Sequence, residues 1–186
     1  MRSVESLKSG HELVIRYAMG SDAQDIIDYT KLVGGESDFL TFGEGEFEIT
    51  YEQELEFIEK MLQADNCMML LGLIEGQIIS VASISGMVRP RVHHFAELGI
   101  TVRKSHWGLG IGQLMMKSIE SRVRQAGVIR RIHLKVRTDN TKAIALYESM
   151  GYKVEGLIKR QFRMLDENSN ETFFDVLAMG INIDFS

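Results

Sequence analysis

Ala96-Glu97-Leu98-Gly99-Ile100-Thr101-Val102-Arg103-Lys104-Ser105-His106-Trp107-Gly108-Leu109-Gly110-Ile111-Gly112-Gln113 is the stretch on which the reading of this chain turns. It predicts a strand, a tight glycine loop and the first turn of a helix. Glycines at 108, 110 and 112 remove side chains where the helix begins. Backbone N–H groups there are free to converge on a phosphate, with the positive end of the helix dipole behind them. A ligand carrying a diphosphate is the expected guest.

Two common nucleotide loops do not fit. A P-loop needs Lys-Ser/Thr after its last glycine, and Gly112 is followed by Gln113 and Leu114. A dinucleotide fold needs G-x-G-x-x-G and an acid about 20 residues on. Here the third glycine comes one residue early, and the following strand offers Lys135 and Arg137 instead.

A third pattern is completed downstream by Leu134-Lys135-Val136-Arg137-Thr138-Asp139-Asn140-Thr141-Lys142-Ala143-Ile144-Ala145-Leu146-Tyr147-Glu148-Ser149-Met150-Gly151-Tyr152. Together the two stretches resemble the GNAT superfamily of acyl-CoA-dependent N-acetyltransferases. That family's signature is a strand, a Q/R-x-x-G-x-G/A loop opening a helix, a second strand, and N-x-x-A-x-x-x-Y-x-x-x-G-F/Y. Gly110-Ile111-Gly112 supplies the G-x-G, and Asn140, Ala143, Tyr147, Gly151 and Tyr152 match in order. Trp107 departs from the pattern, standing where the family usually has Gln or Arg.

The resemblance implies a GNAT-like mixed, centrally splayed β-sheet flanked by helices, in which strands Phe95–Val102 and Arg131–Arg137 run parallel and part. It implies acetyl-CoA as co-substrate, its pantetheine arm paired with the Ile100-Thr101-Val102 segment through the backbone of Ile100 and Val102. Gly108, Leu109, Gly110, Ile111, Gly112 and Gln113 would hold the pyrophosphate, and Asn140 would bond the arm. On the residues alone, each glycine is also compatible with an ordinary turn and Asn140 with a helix N-cap.

Acetyl transfer to nitrogen needs a neutral amine, N–H groups for the oxyanion and an acid for the departing thiolate. Tyr147 lies seven positions after Asn140, about two helical turns, so both can face one groove. Its phenol is protonated at neutral pH and is the expected acid, a core aromatic beside Ile144 and Met150 being the competing role. Glu97, an acid on the strand beside the thioester with apolar neighbours, is the candidate base, and a structural ion pair is the competing role. Some family members carry Glu five residues before the motif asparagine; that position is Lys135 here. The alternatives are loop acids, Glu36, Glu44 or Glu46, acting through water. No His or Cys spacing suggests a metal.

The chain of 186 residues is 45% hydrophobic, room for one core, and is read as a single domain over 1–186. Cys67 stands alone and reads as a buried strand residue. With no apolar leader and no run of about 18 apolar residues, a soluble, cytoplasmic protein is expected. Twenty-one basic against 26 acidic residues, net −5, disfavour nucleic acid and suit a cationic amine acceptor; a homodimer is compatible.

The remaining pattern predicts a strand at His11–Ala18, a helix capped by Ser21 or Asp22 with Ala23, Ile26, Ile27, Tyr29 and Leu32 inward, and an acidic loop from Glu36 to Glu48. This loop either lines part of the acceptor cleft or is a solvated acidic loop. A Thr50 capping box opens a second helix with Leu55, Ile58, Met61 and Leu62 inward. A hairpin of Met68–Ile74 and Ile78–Val88 turns at Glu75-Gly76. Arg89 to His94 reads as a solvated basic connection, with an adenosine-phosphate or substrate contact as the alternative. Ile132, Leu134 and Val136 alternate with His133, Lys135 and Arg137, so one face of that strand borders a cleft. Strands Tyr152–Met164 and Thr172–Ile183 join through the turn-rich residues 166–170. The expected order is β-α-α-β-β-β-α-β-α-β-β. The leading function is an N-acetyltransferase acting on a primary amine of a small molecule, protein N-terminus or lysine by direct attack. The alternatives are a non-catalytic acyl-CoA sensor and a purely structural domain.

Overall fold

From the N-terminus the chain runs through strands β1 (Arg2–Ser6) and β2 (Glu12–Tyr17), helices α1 (Ala23–Glu36) and α2 (Tyr51–Gln63), and strands β3 (Met68–Ile74), β4 (Gln77–Gly86) and β5 (Phe95–Val102). Helix α3 (Ile111–Ala126), strand β6 (Arg131–Arg137), helix α4 (Thr141–Ser149) and strands β7 (Lys153–Leu165) and β8 (Glu171–Asn182) complete it. This is a computed structural model, and it describes residues 2–166 and 168–184. Glu167, in the predicted turn between the last two strands, lies outside the described residues.

Local chemistry sets the boundaries. Thr50 and Gln53 form the reciprocal capping box that starts α2, at 3.3 and 2.9 Å. Glu75 and Gly76 both take positive φ, the type I′ geometry that reverses β3 into β4. Gly127, in the left-handed region, closes α3 by donating to Val123 C=O.

Among the described residues, eight strands form one sheet in the order β1-β2-β3-β4-β5-β6-β8-β7, and only β5 and β6 run parallel. One face packs on α3 and α4 through Ala82, Ile84, Ala96, Leu98, Ile132 and Leu134 against Met115 and Ile119. The other face packs on α1 and α2 through Met69, Leu71 and Leu73 against Ile26 and Ile58. Strand β3, covered on both faces, is buried throughout. No helix among the described residues is long and apolar enough to cross a membrane.

Several expectations are corrected. Residues Arg2–Ser6 form an added edge strand, because their period-2 pattern of small and polar residues finds β2 as a partner only in three dimensions. Asp22 does not cap α1; its carboxylate takes the Arg16 guanidinium and the Met19 N–H, and these bonds hold its pKa below the ordinary carboxylate value. Leu32 and Leu62 point to solvent, and Glu54 is buried on α2. Strand β4 ends at Gly86, leaving Val88 exposed. Cys67 precedes β3 and is half-buried. Residue His93 is a structural clip, bonded to Asp65 and to the Asn66 amide.

Candidate active site

The central feature is a notch. The parallel ladder between β5 and β6 pairs Phe95 with Arg131, Ala96 with Ile132 and Glu97 with His133, and then stops. Beyond it β5 stays paired to β4 as far as Val102, and β6 to β8 as far as Arg137. The facing edges therefore part while each strand remains anchored on its outer side.

Register shows which groups face the gap. In an antiparallel ladder alternate residues exchange both bonds with the partner. Arg103 N–H donates to Ile79 C=O and Met87 N–H to Phe95 C=O, so the odd-numbered residues of β5 belong to β4. The backbones of Ile100 and Val102 turn to the notch. Thr101 does not: its backbone is committed to β4 and its hydroxyl lies 2.9 Å from Tyr29 Oη on α1. By the same reasoning Thr138 N–H to Asp175 C=O, and Ile183 N–H to Arg130 C=O, leave the Lys135 backbone facing β5.

At the open end of β5 the chain makes a 3-10 turn, Lys104–His106, and enters the glycine loop. Gly108 and Gly110 have φ of 79° and 83°, and Gly110 is the N-cap of α3 with no side chain to fill the end of the helix. Among the described residues, nothing accepts from the N–H groups of Gly108 to Gln113; the first helical bond is Leu114 N–H to Gly110 C=O. An added Cβ on Gly108 or Gly110 would meet open space, whereas on Gly112 it would stand 3.0 Å from Leu146 Cδ2. Gly112 therefore also lets α3 pack against α4. Trp107 donates its indole N–H to Val102 C=O at 2.7 Å, a bond that sequence reasoning missed.

Asn140 caps α4, its Oδ1 accepting from Ala143 N–H at 3.2 Å. Tyr147 is buried in the main core beside Tyr152, ring centroids 6.1 Å apart. Burial pushes its phenol up to about 12, so it holds its proton at neutral pH. Glu97 stands at the foot of the notch with its side chain 45% exposed, and its Oε2 is 3.7 Å from His133 Nε2. The expected apolar enclosure of this carboxylate is absent, because α1 covers this face of β5 at Thr101 and leaves it open to solvent at Glu97.

The acidic loop, residues 37–50, covers the end of β6. Arg137 is buried there, donating to Asp38 C=O at 2.7 Å and bidentately to Asp139, with its guanidinium 3.6 Å from the Phe174 ring centroid and 4.9 Å from that of Phe39. This hub stood in the sequence only as one polar residue in an alternating strand. Glu36 accepts from Arg103 Nε and Lys104 N–H, so it is tied to the end of β5 and is not a free base. Glu46 accepts from Gly43 N–H. Between α1, this loop and the start of α2 lies an open groove of about 1100 Å³, lined by Asp28, Glu36, Glu44, Phe47 and Glu48.

Comparison with known proteins bears on this geometry. The family model described as Acetyltransferase (GNAT) family matches residues 36–152, which include the notch, glycine loop, Asn140 and Tyr147. An acetyltransferase of the GNAT family from Streptococcus pneumoniae superposes with a TM-score of 0.86 at 31% identity, over 92% of this chain and 99% of that one. The L-amino acid N-acetyltransferase AaaT of Escherichia coli is 28% identical over 102 residues, 55% of this chain and 63% of that protein. The N-alpha-acetyltransferase RimI of Mycobacterium tuberculosis is 34% identical over 89 residues, 48% of this chain and 54% of that one. The chain thus spans less than two thirds of the length of these two relatives. Solved structures of the same fold, at 17% identity, hold acetyl-CoA.

Proposed function

The chain belongs to the acetyltransferase (GNAT) family, and from that premise we propose that it transfers the acetyl group of acetyl-CoA to a primary amine by direct attack. The observation that carries this reading is the parting of β5 from β6 immediately beside a glycine turn whose amides have no partner among the described residues. The donor set fits the co-substrate: the N–H groups of Gly108 to Gln113 suit a pyrophosphate, and the notch-facing backbones of Ile100 and Val102 suit the amides of an extended arm. Asn140, with Oδ1 engaged in its cap, has its amide N–H₂ left to donate. Acetyl-CoA supplies an activated thioester; everything else is asked of the chain.

Glu97 receives a proton from the incoming ammonium, and Tyr147 gives one to the sulfur as the C–S bond breaks. The amine enters from the face of the sheet that carries Glu97 and the 37–50 loop, whose acids attract a cation. One curated relative is named an L-amino acid N-acetyltransferase and the other an N-alpha-acetyltransferase, which supports an acceptor that is a free amino acid or a peptide N-terminus. The single free cysteine and the co-substrate suit the cytoplasm.

Thermal shift and CoA release test the reading. Acetyl-CoA at 100 times its Kd should add about 2.7 kcal/mol of stability, and amino acids or N-terminal peptides should release CoA faster than polyamines or aminoglycosides. Binding without turnover across this panel would indicate an acyl-CoA sensor. A larger shift with ATP or NAD would overturn the site. Charge reversal at Glu44 and Glu48 should raise the KM of the amine and spare that of acetyl-CoA.

A further inference from the structure

The last rung of the parallel ladder joins Glu97 to His133, and the two side chains meet on the same face of the sheet. The Nδ1 of His133 lies 3.0 Å from Ala96 C=O. A carbonyl only accepts, so Nδ1 carries hydrogen in both the neutral ring and the cation, and any change of protonation falls on Nε2. Phe95 stacks on the imidazole at 4.3 Å and 7°, fixing its plane. Nε2 is thereby aimed at Glu97 Oε2, 3.7 Å away. A bare nitrogen lone pair and a carboxylate repel each other, and a proton held by either makes the contact attractive. The imidazole, 16% exposed, is the sheltered member, while the carboxylate, 45% exposed, reaches the open face.

We propose that Glu97 and His133 work as one proton-sharing pair, in which the carboxylate takes the proton of the incoming ammonium and His133 Nε2 retains it; this rests on the acetyltransferase reading above. His133 acts through Glu97 and is a positioning residue. The step balances as follows. R–NH₃⁺ gives one proton to the pair, and the freed lone pair forms the N–C bond to the thioester carbonyl. The C–S bond breaks with its electrons on sulfur, Tyr147 protonates the thiolate, and Tyr147 is restored by the second amine proton. The products are the acetamide and CoA thiol, and the pair returns its proton to water through exposed Glu97.

The charged groups around His133 are few. Arg131 and Lys135 flank it on the same face of β6, and Arg131 is ion-paired with Glu155 of β7 beside Gly180, the cross-strand partner of His133 on β8. Lys153 of β7 is next in that row, and β5 contributes Glu97.

Histidine ¹⁵N spectra of the full chain, recorded from pH 4.5 to 9, test the coupling without turnover. Nδ1 should stay protonated throughout, and Glu97→Gln should move the His133 midpoint by roughly half a pH unit or more, as expected of an interacting pair. In kinetics, His133→Gln should abolish a limb of the wild-type kcat–pH profile and lower kcat about tenfold. Glu97→Gln should lower kcat by roughly 10², and acetyl-CoA affinity should stay within about twofold in both variants. A His133 midpoint indifferent to Glu97→Gln, or a His133→Gln pH profile superposing on the wild type, would overturn the pair. If His133→Gln failed to fold, the Glu97→Gln titration alone would decide. A wild-type protein that neither bound acetyl-CoA nor released CoA would instead overturn the acetyltransferase reading, and the titration would still score the pair.

Discussion

The indole N–H of Trp107 donates to the carbonyl of Val102 at 2.7 Å, so the first residue of the glycine loop is fastened to the open edge of β5. Val102 then faces the notch with only its N–H uncommitted. Trp107→Phe keeps a ring and removes this bond, worth about 1 kcal/mol. Acetyl-CoA affinity should fall roughly fivefold by calorimetry, and an unchanged Kd would show that the loop holds its shape without the indole.

Gly110 and Gly112 should respond differently to a side chain. At Gly110 an added Cβ has open space, but φ of 83° is left-handed and costs an L-residue about 1–2 kcal/mol. Gly110→Val should therefore leave a folded protein whose acetyl-CoA affinity is lost tenfold or more, by an order-of-magnitude expectation for a blocked cradle. In Gly112→Val the branch meets Leu146, so melting temperature and affinity should fall together. Equal melting temperatures for the two variants would contradict this division.

Tyr147→Phe removes only the hydroxyl. As the acid, its loss should lower kcat by roughly 10² or more with acetyl-CoA binding nearly intact. A folded Phe variant turning over at the wild-type rate from pH 6 to 9 would make Tyr147 a core aromatic and leave water or the acceptor to protonate the sulfur.

The Arg137 hub joins β6 to the 37–50 loop and the β7–β8 hairpin. Arg137→Met keeps length and removes the bidentate contact to Asp139, the bond to Asp38 C=O and the cation over the rings. If the loop lines the acceptor cleft as proposed, the KM of the amine should rise about tenfold while that of acetyl-CoA changes less than twofold. Equal effects on both substrates would detach this loop from the acceptor.

Alkaline pH should weaken the fold through its buried phenols. Tyr29, Tyr147 and Tyr152 are all raised, chiefly by burial, Tyr147 to about 12. A group whose pKa is higher folded than unfolded contributes in full below its unfolded value, near 10, and is lost as pH rises through the folded one. Urea unfolding should be flat with respect to these groups up to about pH 10 and fall above it, Tyr147 alone accounting for on the order of 2 kcal/mol by pH 12. Tyr147→Phe should flatten part of that fall, and an identical slope in the variant would sink the attribution.

The elements legible in the chain were those with a local cause. The Thr50 box, the Glu75-Gly76 reversal and the bounds of β5 each follow from capping, turn or periodicity within a few residues. Strand β1 was not legible, because a short polar edge strand has no signature until its partner is in place. Asp22 was misread for a related reason: Arg16, six residues back, competes for the carboxylate that a helix end would otherwise use.

The glycine cradle was readable as chemistry because its backbone conformation and its lack of side chains are both written in residue type. The parting of β5 from β6, the bond from Trp107 to Val102, the burial of Arg137 among three aromatic rings from distant segments and the approach of His133 to Glu97 were not readable in that way. Each joins residues whose proximity depends on strand order and register, quantities set by the packing of the whole sheet. Sequence alone thus determined the kinds of groups this protein presents: a glycine turn with bare amides, an asparagine, a tyrosine and a strand carboxylate. Only the tertiary structure decided which of them face one another, because a sheet's register moves a side chain from one face to the other for every residue of slip.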